Sequence, residues 1–230
     1  MRRPVLLLLH GALGSSTQFE PLVDLIGDRI ATHTLDFEGH GASPLRRRPC
    51  RMEYFAENVI DYLNANKLAA VSIFGHSMGG HVGMYLARFF PERVLSVFTL
   101  GTKFVWNPEI AAREAELMLP EKIAQKVPHF ARLLQQRHAA AGWEALLGKL
   151  REMQLHVGQH NSLPDADIRA VGQRVRIGLG DRDNTSSIEE SVHVYRLLSK
   201  GELQIFPNTA HPIEKVPLEY LAAALIDFAG

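Results

Sequence analysis

Residues 69–90 read AAVSIFGHSMGGHVGMYLARFF. The first six form a short apolar run of the kind that makes a strand buried on both faces, and His81 to Phe90 have the length and composition of a helix. Between them, Gly75-His76-Ser77-Met78-Gly79 is a G-x-S-x-G pattern, with nearly side-chain-free residues two before and two after the serine. A strand that turns straight into a helix at such a point strains the serine backbone and lifts its Oγ clear of the sheet, which bulky neighbours would block. By itself the pattern also arises by chance in glycine-containing turns, so its meaning depends on what flanks it.

Outward from that turn, similar apolar runs recur at 4–10 (PVLLLLH), 30–36 (IATHTLD), 94–100 (VLSVFTL), 174–179 (RVRIGL) and 202–206 (ELQIF), which with 69–75 predict six strands. Segments 15–28, 51–66, 77–90, 186–199 and 212–229 have helix length. Strand-helix alternation predicts an α/β fold, a mostly parallel six-stranded doubly wound sheet. One interval departs from it. From Lys103 to Asp165 there is no strand signal, while Met118, Leu119, Ile123, Phe130, Leu133, Leu134, Trp143, Leu146, Leu147, Leu150 and Met153 recur at helical spacing. The expectation is a core of residues 1–102 and 166–230 carrying an all-helical cap, 103–165, at the carboxyl edge of the sheet, where open α/β sheets bind ligands.

Composition narrows the function classes. Lys plus Arg and Asp plus Glu are both 25, so the chain has no overall field to draw it to nucleic acid or an anionic membrane. Cys50 is the only cysteine, which excludes a disulfide scaffold and a multi-cysteine metal site and suits a reducing compartment. The apolar run after Arg2-Arg3 ends at Leu9, too short for a signal-peptide core, and nothing approaches the ~20 apolar residues that cross a bilayer. The expectation is a soluble, cytoplasmic protein. The oligomeric state is left open.

A serine hydroxyl needs a base, and the base needs an orienting carboxylate. Gly180-Asp181-Arg182-Asp183 follows the strand RVRIGL, and Asn208-Thr209-Ala210-His211-Pro212 follows ELQIF, so parallel neighbours would bring both loops to the edge that carries Ser77. Either Asp181 or Asp183 can serve as the acid. With Ser, Asp and His in that order, the chain resembles the α/β-hydrolase superfamily over almost its whole length apart from the cap. His10-Gly11 resembles the oxyanion loop of that superfamily, Asp36-Phe37-Glu38-Gly39-His40-Gly41-Ala42-Ser43 its D-x-x-G-x-G-x-S turn and Gly180-x-x-Asp183 its acid turn. The resemblance implies Ser77 as nucleophile, His211 as base, Asp183 as acid in preference to Asp181, the amides of Ala12 and Met78 as the oxyanion hole, and no cofactor. The family's usual antiparallel hairpin has no room before the first strand, so a minimal sheet is expected.

The implied activity is a serine hydrolase that acts through an acyl-enzyme on a small to medium carboxylic ester or related small-molecule acyl substrate. His81, Trp106, Phe130 and Trp143 are candidate substrate contacts, although aromatic residues at helical spacing equally suit plain packing. Two other enzyme readings keep the same triad: a lyase resembling the menaquinone-pathway pyruvate-eliminating synthase, and a carbon-carbon bond hydrolase. The lyase family tends to carry Tyr and Arg where this chain has His76 and His81. A reading of another class is a ligand receptor or signalling partner built on the hydrolase fold. His156 and His160 have the i, i+4 spacing of a helical metal pair but no third ligand, so no metal site is assigned. Arg46-Arg47-Arg48 reads as a solvated loop or as an attractor of anionic substrates.

Overall fold

A computed structural model describes residues 5–229. Pro4, where the first strand is expected to begin, and the basic pair Arg2-Arg3 lie outside the described residues. Strands β1 (Val5–Leu9), β2 (Ala31–Leu35), β3 (Val71–His76), β4 (Val94–Leu100), β5 (Arg174–Gly180) and β6 (Gly201–Phe206) form one sheet in the order β2-β1-β3-β4-β5-β6. Every neighbouring pair is parallel.

Alternation along the strands explains the two-sided core. Leu6 and Leu8 of β1, Phe74, Phe98 and Phe206 point to one face, where they pack with α1 (Glu20–Ile26) and α10 (Leu218–Ala229). Leu7, Leu9, Val71, Ile73, Val97 and Val175 point to the other, where they meet α2 (Met52–Ala65), α3 (Met78–Phe89) and α9 (Ile188–Leu197). Right-handed crossovers account for the sides taken by α1, α2, α3 and α9, while α10 follows the last strand and covers the face beside α1. The β1-to-β2 connection runs along the sheet in the opposite sense to all later ones, so its helix α1 falls on the opposite face.

Between β4 and β5 lie α4 (Pro108–Leu117), α5 (Pro120–Lys126), α6 (Pro128–Arg137), α7 (Trp143–Gln159) and the short α8 (Asp165–Arg169). Proline opens α4, α5 and α6, where its missing N–H has no intrahelical role. Asn107 caps α4 by accepting the Ile110 N–H at 2.8 Å. The inserted helices share the sheet's core, because Leu146, Leu150, Met153 and Val157 of α7 belong to the same apolar cluster as Leu7 and Val71.

Two predicted helices are shorter than expected. Residues 16–19 form one tight 3₁₀ turn before α1, and α10 begins only at Leu218 because Pro217 holds Val216 extended. Phe98 is wholly buried, with ring centroids 5.8 Å from Phe74 and 5.5 Å from Phe228, both near edge-to-face. Phe98→Ala is expected to destabilise the fold by about 3–5 kcal/mol, read as a lowered urea midpoint with the slope of the transition unchanged.

Candidate active site

The crossover from β1 leads one way along the sheet and that from β3 the other, so a crevice opens at the carboxyl ends of these two adjacent strands. Ser77 stands there, between the end of β3 and the start of α3, with φ 52° and ψ −119°. That strained backbone is held on both sides. The Ser77 N–H donates to the Leu100 carbonyl at 2.8 Å, and the buried Thr102 hydroxyl donates to the Ser77 carbonyl at 2.9 Å. Thr102 is a supporting residue with no sequence motif to announce it.

His211 Nε2 lies 3.2 Å from Ser77 Oγ, and His211 Nδ1 lies 2.7 Å from Asp183 Oδ2. The other oxygen of Asp183 accepts the amides of Thr185 at 2.7 Å and Ser186 at 3.0 Å. Burial alone would raise the Asp183 pKa, but the hydrogen bond from His211 and those two amides together hold it below the ordinary carboxylate range. An ionised Asp183 fixes the proton of His211 on Nδ1 and leaves the Nε2 lone pair facing Ser77. Asp181 is placed differently: it points to solvent and accepts the Thr209 N–H at 3.0 Å, so it braces the loop that carries His211. His76 braces the same loop from beneath, its Nε2–H donating to the His211 carbonyl at 2.9 Å.

The loop after β1 completes the surround. Gly11 lies against His76 and Ser77, where a Cβ would stand 3.1 Å from that of Ser77. Buried His10 donates from Nδ1 to the Gly11 carbonyl at 2.8 Å and accepts the Phe37 N–H on Nε2 at 3.2 Å. The Leu13 carbonyl accepts from Arg137 Nη1 at 2.9 Å and from His138 Nε2 at 3.0 Å, which ties this loop to the end of α6. Asp36, at the head of the glycine-rich turn, accepts the Ser16 N–H at 2.7 Å and the Ala42 N–H at 2.9 Å. The basic run beyond that turn is not simply solvated: Arg48 pairs with the buried Glu38 at 2.7 Å and with Glu57 at 2.5 Å.

A cavity of about 350 Å³ opens on Ser77 and is bordered by Ala12, Met78, His81, Trp106 and Phe130. A second of about 190 Å³ shares Ala12, Leu13, Ser77, Phe130 and His211 with it and continues towards Gln18, Arg137 and Glu214. Trp143 lines neither; it packs with Ile123, Leu134 and Leu147 among the inserted helices. His81 is buried, donates from Nδ1 to the Lys103 carbonyl, accepts the Ser162 hydroxyl on Nε2 at 2.8 Å, and is kept neutral by burial, its pKa lowered to about 4. Lys103, Glu114 and Gln154 also reach the larger cavity; they come from three separate elements and form no local sequence pattern. His156 and His160 have ring centroids 4.8 Å apart, and among the described residues no group of three or more metal-ligating side chains is assembled. No helix among the described residues is long and apolar enough to cross a membrane.

The sequence model of the alpha/beta hydrolase fold family matches residues 4–185. The chain belongs to the α/β-hydrolase family. It is 23% identical over 244 residues to the 2-(acetamidomethylene)succinate hydrolase of Mesorhizobium japonicum, covering 98% of this chain and 87% of that protein. It is 26% identical over 227 residues to the pimeloyl-[acyl-carrier protein] methyl ester esterase of Chromobacterium violaceum, covering 90% of this chain and 87% of the relative. A crystal structure of E-2-(acetamidomethylene)succinate hydrolase superposes with a TM-score of 0.77 at 20% identity, over 98% of this chain and 91% of that one. This α/β-hydrolase is therefore an enzyme of the family, with hydrolases and esterases among its relatives.

Burial lowers the pKa values of His10, His76 and His81 from the ordinary 6.5 to about 4. A histidine depressed in the folded state takes up its proton first in the unfolded chain, so stability is lost as pH falls from about 6.5 towards 4. Urea midpoints are expected to be flat above pH 7 and to fall steadily below 6.5, each histidine contributing up to about 1.4 kcal/mol per pH unit. A midpoint independent of pH between 7 and 5 would contradict the neutral assignment.

Proposed function

We propose that this α/β-hydrolase is a serine hydrolase that cleaves a small to medium carboxylic ester through an acyl-enzyme, with Ser77 as nucleophile, His211 as general base and acid, and Asp183 as the acid member. The observation that carries the reading is the continuous hydrogen-bonded line from Asp183 through both nitrogens of His211, 2.7 Å and 3.2 Å, to Ser77 Oγ. His211 takes the Ser77 proton as Oγ attacks the carbonyl carbon, and Asp183 stabilises the imidazolium that forms. The carbonyl oxygen becomes an oxyanion within reach of the Ala12 and Met78 amides. Met78 opens α3, where first-turn amides lack intrahelical acceptors and the helix dipole favours negative charge. The imidazolium then protonates the departing alkoxide. A water, deprotonated by His211, attacks the acyl-Ser77 carbonyl, and Ser77 regains the proton as the acid leaves.

The methyl ester esterase among the relatives supports carboxylic esters as the class, and a cavity of about 350 Å³ suits an acyl group of small to medium size. His81 is buried and neutral, so it supplies no cation at the position where the lyase family carries one, and hydrolysis is preferred over pyruvate elimination.

A fluorophosphonate probe is expected to label wild-type protein on Ser77 and to leave Ser77→Ala unlabelled. A p-nitrophenyl ester series should show kcat/KM peaking at one acyl length. Ser77→Ala and His211→Ala are expected to lower kcat on the best ester by about 10⁴-fold or more, and Asp183→Asn by about 10⁴-fold through the wrong imidazole tautomer. Wild-type turnover in Ser77→Ala overturns the assignment; ligand-dependent capture of a second protein without turnover would favour a receptor.

A further inference from the structure

We infer that the larger cavity contains a recognition site for a carboxylate on the acyl part of the substrate, formed by the Lys103 ammonium and the Gln154 amide. The inference deepens the serine-hydrolase reading and rests on it for the placement of the acyl group.

Lys103 follows the carboxyl end of β4, and its carbonyl is held by Trp106 Nε1 at 3.3 Å and His81 Nδ1 at 3.4 Å, so the root of the side chain is fixed. The side chain is 10% exposed and borders the cavity. Its nearest carboxylate oxygen, Glu114 Oε1, lies 3.9 Å from Nζ, close enough for attraction but beyond hydrogen-bond length. Glu114 also lies 3.4 Å from Nη2 of Arg113, whose exposed side chain is solvated, and among the described residues the Lys103 ammonium itself makes no hydrogen bond. An ammonium withdrawn from bulk water without a hydrogen-bonded counter-ion is costly, and the position calls for an acceptor.

Gln154 of α7 supplies the second, independent observation. It is 9% exposed, borders the same cavity, and its Oε1 is buried without a hydrogen-bond partner among the described residues. Buried amides without partners are rare in native proteins. The amide nitrogen is not shut away like the oxygen and makes no hydrogen bond among the described residues, so Gln154 can donate from Nε2 to the same ligand group as Lys103. Glu114 also borders the cavity beside Lys103, while Met118, Ile123, Val127 and Met153 form an apolar stretch of the wall that would hold the methylene chain between the scissile carbonyl and the distal carboxylate. The smaller cavity contrasts with this. There Gln18 donates to Glu214 at 2.6 Å, and Arg137 donates to the Leu13 carbonyl, so the charged and amide groups already have partners.

The test is binding to Ser77→Ala protein, followed by calorimetry, of monomethyl esters of straight-chain dicarboxylic acids spanning four to eight carbons, each against the matching monoamide. At the best length the carboxylate form is expected to bind at least tenfold more tightly. Lys103→Met should abolish that preference, Lys103→Arg should retain it, and Glu114→Gln should enlarge it by removing a competing carboxylate. Equal affinity for acid and amide, tighter binding of the amide, or a preference that survives Lys103→Met overturns the proposal. Turnover of the same esters by wild-type protein separates the two readings: a carboxylate preference in binding without turnover or Ser77 labelling supports this site and overturns the serine-hydrolase reading.

Discussion

The first turn of α3 presses on the carboxyl end of β1 with no space for a side chain between them. A Cβ on Gly79 would overlap the Leu9 carbonyl, and one on Gly75 would overlap the backbone of Gly79 and Gly80. This close approach dictates where Ser77 stands. The chain must reverse from strand to helix within one residue, and Ser77 absorbs the reversal with its positive φ. Such a conformation costs of order 1–3 kcal/mol and persists only where neighbours over-determine it. Here the neighbours are the three central strands: β3 carries Ser77, β4 accepts its N–H through Leu100, and β1 sets the floor under Gly79. Ser77 therefore stands on the most deeply buried and fully paired part of the sheet.

A second constraint is that the buried histidines in the loops around this floor stay neutral. His10 and His138 each use one ring nitrogen as donor and the other as acceptor of a backbone N–H, from Phe37 at 3.2 Å and from Gly41 at 3.0 Å. A second proton on either ring would set N–H against N–H. Burial pushes both pKa values down, consistent with that hydrogen-bond arithmetic. The loops that flank Ser77 thus hold one arrangement across neutral pH, and His138 extends that rigidity to the end of α6.

How much of this is legible in the sequence depends on whether local chemistry or distant packing decides the feature. The strands are readable because a run such as Val5–Leu9, apolar at every position and too short for a buried helix, suits a strand covered on both faces, and observed bounds fall within two residues of those expected. The breaks between inserted helices are readable too, since Pro108, Pro120 and Pro128 each suit a first helical turn. Glycine spacing announces the turn at Ser77, and the order of loops brings Asp183 and His211 to it. Helical periodicity, by contrast, identifies a buried face without naming its partner. Trp143 and Phe130 read alike in sequence, yet one packs among helices and the other borders the cavity. Lys103, Glu114 and Gln154 meet only because α4 and α7 fold over the end of β4, a tertiary event with no local signature.

The division of the cavity at Ser77 gives the proposed chemistry a direction. If the carbonyl oxygen lies between the amides of Ala12 and Met78, the two substituents of the carbonyl carbon must leave on opposite sides. The group that departs needs a proton from His211 Nε2, and the smaller space is the one walled by the residues that follow His211, Pro212 to Glu214. The leaving group therefore belongs in the space of about 190 Å³ and the acyl chain in that of about 350 Å³. Selectivity then separates physically. On the proposed chemistry, acyl length and polarity would be read by α4 to α7 and Lys103, and the size of the leaving group by Gln18, Arg137 and Glu214. Phe130 borders both spaces, so its ring stands where the two selections meet.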